Sequence, residues 1–121
     1  MGSKESAKKF PIELLCLSLL EERDMYGYEI LQEFKTRSRG RIVINIPTLY
    51  MALKRLFERG YVSTYYSDSE EDASRGRPRL YYHLEAPGAA YREKLLADYH
   101  EMVLGVREFF RHRKEEEEKH D

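Results

Sequence analysis

The chain has 121 residues, of which 41% are hydrophobic and 36% are charged. This length suffices for one domain with a hydrophobic core and is too short for two independent domains. No apolar run approaches the roughly 20 residues of a membrane-spanning helix, and the single cysteine, Cys16, excludes an internal disulfide and a cysteine-based zinc site. Residues 1–10 form a polar extension without a secretory signal, so we expect a cytoplasmic protein.

The formal net charge of −1 conceals an uneven distribution of charge along the chain. In residues 35–59 seven Lys and Arg residues are opposed by one acid, Glu58, and residues 74–79 contain three arginines and no acid. The acids collect in residues 68–72 and in the C-terminal tail. Two basic segments in an otherwise acidic chain are typical of a phosphate-binding face, although scattered arginines on a solvated surface would give the same count.

The first two predicted elements are helices. Pro11 suits a first helical position, and the residues after it follow the spacing of an amphipathic helix: Ile12, Leu15, Cys16, Leu19 and Leu20. A second helix is predicted at residues 26–37. Glycine lowers the stability of a helix, and this cost at Gly27 is explained if the residue lets another backbone approach closely. Residues 42–44 are a short β-branched run that we interpret as a minor strand.

A third helix is predicted to begin near Pro47 and to end at Gly60, which suits the left-handed position after a helix. At 100° per residue one arc of this helix is apolar and consists of Ile46, Leu49, Leu53, Leu56 and Phe57. The opposite arc consists of Thr48, Met51, Lys54, Arg55 and Glu58. We therefore expect one side of the helix to pack on the domain and the other, which is polar and basic, to point outward.

The hydrophobic period then changes to that of β-strands. Residues 61–66 and 79–84 are rich in aromatic and β-branched residues, and the polar segment between them ends in Gly76-Arg77-Pro78. This pattern predicts an antiparallel hairpin with an acidic, mobile loop and a basic flank.

The last predicted helix begins near Pro87 and reaches the acidic tail. One stripe of it has the alternating spacing of a coiled-coil seam and consists of Leu95, Tyr99, Met102, Val106 and Phe109. A small domain is too short to cover this stripe. We therefore predict a twofold homodimer in which the helix packs on its partner and on the partner's first helix.

Three helices followed by a hairpin indicate a winged helix-turn-helix. We predict a mostly helical α+β fold in which residues 1–10 are an N-terminal extension and residues 11–86 are a winged helix-turn-helix DNA-binding domain. Residues 87–121 are predicted to be a long C-terminal dimerisation helix with an acidic tail. In this fold the third helix docks in the major groove and the hairpin contacts phosphates or a minor groove, which would bring both basic segments to one face.

Four motifs in the same order resemble those of the PadR family of bacterial transcriptional regulators. They are Tyr26-Gly27-Tyr28-Glu29-Ile30, then Thr48-Leu49-Tyr50 with Leu53, Arg55 and Leu56, then Gly60-Tyr61-Val62, then Gly76-Arg77-Pro78-Arg79-Leu80-Tyr81-Tyr82 with Leu84 and Gly88. The resemblance covers about residues 11–110 and is to the subgroup with a short C-terminal region. The chain departs from the family pattern at Pro47, Met51 and Glu85, which affects the start of the third helix and base preference but not the fold.

The resemblance implies a dimeric winged-helix regulator, typically a repressor. Such a protein would bind a pseudo-palindromic operator, and a small aromatic effector would in some cases release it. Double-stranded DNA and a second copy of the chain are therefore the expected partners, with no membrane partner.

The predicted DNA-binding residues lie on the outer arc of the third helix and on the hairpin flank. They are Thr48, Tyr50, Met51, Lys54, Arg55, Arg75, Arg77 and Arg79. The phosphate contact of Tyr50 is implied by the resemblance; the alternative is an aromatic residue packed on the wing. Lys54 could instead pair with Glu58 on the surface, and the arginines could balance the acids of the loop.

Several other residues have two interpretations. The stripe formed by Tyr91, Tyr99, Met102, Val106 and Phe109 belongs to a core or lines an effector cavity at the dimer interface. Cys16 is interpreted as a small buried hydrophobe, with a redox switch as the alternative. His112, Glu116 and His120 share a helical face that could hold a metal ion or simply belong to a solvated tail, and we expect no metal site.

The sequence contains no nucleophile elbow, phosphate loop or paired-carboxylate motif. We therefore expect neither an enzyme nor a cofactor. The alternatives to a DNA-binding regulator are a winged-helix module that binds a protein partner and a small-molecule sensor that does not bind DNA.

Overall fold

The computed structural model describes residues 11–68, 76 and 78–119 of the chain. The elements are α1 (Ile12–Glu22), β1 (Met25–Tyr26), α2 (Gly27–Arg37), α3 (Ile46–Glu58), β2 (Val62–Tyr66), β3 (Leu80–Leu84) and α4 (Ala86–Lys119). Three helices precede a hairpin, and one long helix follows it. The predicted α+β winged helix-turn-helix with a long C-terminal helix is therefore confirmed.

Helix α1 lies at the centre of the domain and contacts α2, α3, α4 and β3. Five of its residues are buried: Leu14, Cys16, Leu17, Leu19 and Leu20. Burial raises the pKa of the Cys16 thiol far above its usual range, and the nearby Glu13 carboxylate adds to this effect. A buried, protonated thiol is chemically inert, which agrees with the interpretation of Cys16 as a small core hydrophobe.

Helix α2 begins directly after β1. The backbone of Tyr26 is extended, and the Glu29 carboxylate accepts a hydrogen bond from the Tyr26 amide (3.3 Å), which caps the first turn. The first helical residue, Gly27, lies against the ring of Tyr50 on α3, and a Cβ atom there would be 2.7 Å from Tyr50 Cζ. A close approach occurs at Gly27 as predicted, but the neighbour is an aromatic side chain rather than a backbone.

The sheet contains three antiparallel strands in the order β1-β3-β2. Strands β2 and β3 form the predicted hairpin, with Val62 opposite Leu84 at one end and Tyr66 opposite Leu80 at the other. Val62 and Tyr82 are buried, so this face of the sheet packs on the helices. Strand β1 pairs with the other edge of β3.

The prediction of a minor strand at residues 42–44 is wrong. This segment is irregular, with Ile42 and Ile44 packed against the core and Val43 exposed. A β-branched run favours an extended backbone, but a strand also needs a partner edge. The available edge of β3 is occupied by β1, whose two residues carry too little local signal to be recognised as a strand.

Helix α4 is anchored where it begins. The Glu85 amide donates to the Tyr61 carbonyl (3.0 Å), and Gly88 packs so closely on the same carbonyl that any Cβ would collide with it. The ring of Tyr91 stacks on that of Tyr61, with centroids 4.4 Å apart. Only glycine therefore fits at position 88.

The next turns of α4 also pack on the chain's own domain. Arg92 Nε donates to Ser18 Oγ on α1 (2.9 Å), and Leu95 is only 6% exposed within the core. The assignment of Leu95 to the dimer seam is therefore corrected, because this side chain is covered within its own protomer. Four large apolar side chains further along α4 are exposed: Leu104, Val106, Phe109 and Phe110. No helix in the described part of the chain combines the length and apolar character needed to cross a membrane.

Candidate nucleic-acid interface

Helix α3 begins with a polar cap. The Asn45 side chain accepts a hydrogen bond from the Thr48 amide (2.9 Å), and Pro47 occupies the first turn, where the absence of an N–H has no cost. The helix dipole concentrates partial positive charge at this end, beside the exposed Thr48 side chain. This end of α3 is suited to approach a phosphate group or a base acceptor.

Over the middle of α3 one side is buried and the other is exposed, as the sequence predicted. The buried side consists of Leu49, Ala52, Leu53 and Leu56. The exposed side includes Thr48, Met51 and Lys54. At the two ends the prediction is wrong, because Ile46 and Phe57, which were assigned to the buried arc, are about half exposed.

Arg55 differs from the expectation that it points outward. Its Nε lies 3.3 Å from Glu13 Oε1 on α1, and the side chains of Arg55 and Glu13 are 36% and 16% exposed. The residue next to it, Lys54, is exposed. One position corresponds to a rotation of about 100° around the helix axis, which is enough to turn Arg55 toward α1 while Lys54 faces solvent.

Tyr50 lies between α3 and the start of α2. Its ring packs on Gly27, and 45% of the residue remains exposed. The ring thus contacts the start of α2, and the exposed part of the side chain remains accessible to a ligand.

Arg79 connects the hairpin to the same region. Its guanidinium carbon lies 4.5 Å from the centroid of the Tyr26 ring, a cation–π distance, and Tyr26 immediately precedes α2. Tyr50 from α3 thus packs on Gly27, and Arg79 from the hairpin packs on the preceding residue, Tyr26. Arg75 and Arg77 lie outside the described residues.

The positive charge available on the surface is smaller than the sequence count indicated. Arg37 donates through Nη1 and Nη2 to Glu22 (2.6 and 2.9 Å) and through Nε to Glu33 (2.6 Å), and the bond from Arg37 holds the pKa of Glu22 below its usual value. Arg55 is paired with Glu13. The exposed basic residues of segment 35–59 other than Arg37 are Lys35, Arg39, Arg41, Lys54 and Arg59.

The residues predicted for dimerisation and effector binding divide into two groups. Leu95 and Tyr91 pack within the protomer, whereas Tyr99, Val106 and Phe109 are exposed. Met102 is partly buried. The free apolar face of α4 therefore begins about one turn after Leu95.

The suggested metal site receives no support from the residues that the structure describes. His112 Nε2 lies 3.7 Å from Glu116 Oε1, and His120 lies outside the described residues. Within the described ranges no group of three His, Cys, Asp or Glu side chains is arranged to hold a metal ion.

Sequence reasoning assigned no binding-site role to Glu13 or Tyr26, which contact two of the predicted DNA-binding residues. Glu13 fixes Arg55, and the ring of Tyr26 lies under Arg79. A signal for Glu13 was present, since it is the one acidic residue in the apolar stretch 10–20. No local signal indicated that residue 79 would lie over residue 26, because that contact joins distant parts of the chain.

Residues 16–94 match the family model described as the transcriptional regulator PadR-like family. A transcriptional regulator from Clostridium thermocellum is 32% identical, with a TM-score of 0.72 over 81% of this chain and 88% of that one. A PadR family transcription regulator from Clostridium difficile is 31% identical, with a TM-score of 0.66 over 82% of this chain and 97% of that one.

A third structure shares the fold at lower identity. It is Bacillus subtilis PadR in complex with operator DNA, which is 20% identical with a TM-score of 0.61 over 72% of this chain and 47% of that one. The family match covers more than half of the chain and includes all of α2, α3 and the hairpin. The chain belongs to the PadR-like family of transcriptional regulators.

Proposed function

We propose that this chain binds operator DNA as a homodimer and acts as a transcriptional repressor. The single observation that carries the proposal is the two-sided character of α3: Leu49, Leu53 and Leu56 are buried in the domain, while Thr48, Met51 and Lys54 are exposed on the opposite side. A helix that enters the major groove needs this arrangement, with one side packed and the other free for base edges and phosphates.

Each exposed residue of α3 has a chemistry suited to a duplex. The hydroxyl of Thr48 can donate to or accept from a base edge, and Met51 offers an apolar contact for a thymine methyl group. Lys54 supplies a positive charge for a phosphate. The Tyr50 hydroxyl, beside the N-terminal end of α2, is assigned to the phosphate backbone.

The hairpin supplies the second contact in this proposal. Arg79 lies over Tyr26, next to the N-terminal end of α2, and Arg75 and Arg77 belong to the same basic flank. Arginines at this position reach phosphates or an adjacent minor groove. A protein of the same fold, Bacillus subtilis PadR, has been solved in complex with operator DNA, which favours DNA as the partner here.

The exposed apolar side chains of α4 support the proposed homodimer. Val106 and Phe109 lie on the same side of the helix as Leu95 and are exposed. Burying such a stripe stabilises a protein by about 25 cal/mol per Å² of apolar surface removed from water. A twofold partner helix would cover it. Two reading heads would then engage half-sites about 34–36 Å apart on a pseudo-palindromic operator.

The proposal also includes release from DNA by a small aromatic effector. An apolar cavity of about 230 Å³ lies between α1 and α2 and is lined by Leu15, Leu19, Phe34 and Ile42, among others. In this proposal a small aromatic effector would occupy this cavity.

The experiment is a titration of the full chain into a fluorescent duplex of mixed sequence at 50 and 200 mM salt. Each phosphate contact contributes about −0.9 to the slope of log K against log salt, so a DNA-binding dimer should show a steep decrease in affinity. Binding that is absent at low salt, or that does not change with salt, would contradict the proposal. It would favour a protein-interaction module or a small-molecule sensor.

A further inference from the structure

We propose that Arg55 and Glu13 act as a positioning pair that fixes the orientation of the exposed side of α3 from within the domain. This inference rests on the proposed function and refines it, because it assigns to Arg55 a role other than direct contact with DNA. It also introduces Glu13, on α1, as a residue on which DNA affinity depends.

The geometry of the pair is that of an interior contact. Arg55 Nε lies 3.3 Å from Glu13 Oε1, and the Glu13 side chain is only 16% exposed. The second oxygen, Glu13 Oε2, is buried and has no hydrogen-bond partner in the part of the chain that the structure describes. Arg55 is the cation paired with Glu13 among the described residues, and little solvent is available to replace it.

The pair complements the apolar packing of α3. Leu49, Leu53 and Leu56 hold the helix against the domain, but nonpolar contacts are not directional and permit small rotations about the helix axis. An ion pair between α3 and α1 has a preferred geometry and so fixes the rotation. Arg55 is adjacent to Lys54 and about one turn from Met51, so a rotation would displace the residues proposed to contact DNA.

Tyr91, near the start of α4, lies close enough to Glu13 to interact electrostatically with the same carboxylate. Burial is the main reason why the pKa of Tyr91 is raised, and the negative charge of Glu13 is the next. Tyr91 stacks on Tyr61, which follows α3. Glu13 thus lies where α1, α3 and the start of the proposed dimerisation helix meet.

The test is a double-mutant cycle with Glu13→Gln, Arg55→Gln and the double variant, in which the affinity for duplex DNA and its salt slope are measured. If the pair positions α3, each single change weakens binding by about tenfold, a typical size for coupled residues. The double variant should bind no more weakly than the weaker single variant, and all three should keep the wild-type salt slope.

A direct contact between Arg55 and DNA would give a different set of results. If Arg55 contacts a phosphate directly, Arg55→Gln lowers the magnitude of the salt slope by about 0.9, while Glu13→Gln leaves binding unchanged or tightens it by freeing Arg55. Either outcome for Glu13→Gln overturns the positioning role. Lys54→Gln, the matched neutralisation at the neighbouring exposed position, provides the internal reference for loss of one phosphate contact.

Thermal unfolding separates positioning from a loss of folding. Binding is measured well below the unfolding temperature of each variant, where all of them are folded. If the pair contributes only to folding stability, the affinity for DNA is unchanged under these conditions, and the inference is overturned. Arg55→Lys, which can keep the ion pair, should retain most of the wild-type affinity. If wild type binds with a steep salt slope and Glu13→Gln equals it, the positioning role fails and the proposed function stands; if wild type does not bind, both fail.

Discussion

At the scale of single residues, neighbours in the sequence have different environments in this domain. Lys54 is exposed, and in the described residues it forms no ion pair with Glu58, whereas Arg55 is turned inward to Glu13. A count of basic residues treats the two alike. The difference follows from the helical rotation and from the position of one acid on α1, which only the packed structure reveals.

Lys54→Ala should weaken the binding of every duplex by a similar factor and reduce the magnitude of the salt slope by about 0.9, because one phosphate contact is lost. Titrations of two unrelated duplexes at several salt concentrations measure both quantities. Glu58→Ala serves as a control that removes an exposed charge from the same helix. An unchanged slope in Lys54→Ala would remove Lys54 from the interface.

Gly27→Ala should lower the stability of the domain, because the new Cβ collides with the Tyr50 ring and overpacking typically costs about 1–3 kcal/mol. In a Tyr50→Ala background the same change should be neutral or stabilising, since the collision is gone and alanine has the better helix propensity. Chemical denaturation of the four proteins measures the cycle. Equal effects of Gly27→Ala in both backgrounds would show that Tyr50 is not the obstacle.

At the scale of elements, a polar cluster on the outer face of the sheet joins β2 and β3 to the residue that precedes β1. Tyr65 donates from its hydroxyl to Asp24 Oδ2 (2.6 Å), and His83 Nδ1 lies 2.8 Å from Asp24 Oδ1. Glu85 Oε2 lies 4.0 Å from His83 Nε2. Asp24 immediately precedes β1, so this cluster ties the shortest strand to the hairpin.

The cluster makes the stability of the domain depend on pH. The hydrogen bond to Asp24 is the main reason why the pKa of His83 is raised above 6.5, so the contribution of the protonated pair is complete below about pH 6.5 and is lost as the pH rises through the folded pKa. Burial opposes ionisation of Asp24, but the bonds from Tyr65 and His83 outweigh it and lower its pKa below 3.8. That contribution is lost only in strong acid.

His83→Gln should therefore lower the unfolding temperature more at pH 5.5 than at pH 8.5. The effect should be small, since exposed ion pairs contribute only about 0.2–1 kcal/mol. Thermal unfolding at both pH values measures it, with His100→Gln on α4 as the control. A deficit that is the same at both pH values would show that the charge on His83 does not stabilise the sheet.

Most elements were predictable from the sequence because their signals are local. The spacing of Leu49, Leu53 and Leu56 identified α3 and its buried side, and Gly60, with a φ of +76°, ends the helix as predicted. Strand β1 and the packing of Leu95 were not predictable. Both depend on contacts between distant parts of the chain, on which a local pattern carries no information.

At the scale of the whole molecule, the proposed dimer rests on the surface that α4 leaves exposed. Phe109 lies on the same side of the helix as Leu95 at 100° per residue, whereas Leu104 lies on the opposite side. Both are apolar and more than half exposed. They form a matched pair for locating the interface.

Phe109→Glu should convert the dimer to a monomer, because a charge would be buried without a partner at the interface. Leu104→Glu adds the same charge on the other side of α4 and should leave the dimer intact. Sedimentation velocity distinguishes the two states. The monomeric variant should also bind operator DNA at least 100-fold more weakly, since the two heads no longer act together. A monomeric wild-type chain, or equal behaviour of both variants, would contradict the proposed dimer.

The most direct test of the account is to titrate isotope-labelled protein with duplex DNA and to follow the backbone amide signals by NMR. We expect the largest changes at the N-terminal end and exposed side of α3, at Thr48, Met51 and Lys54, and at the start of α2 and the hairpin flank near Arg79. Changes confined to the outer face of the sheet around Tyr65 and His83, or to α4, would place the DNA elsewhere and contradict the central claim.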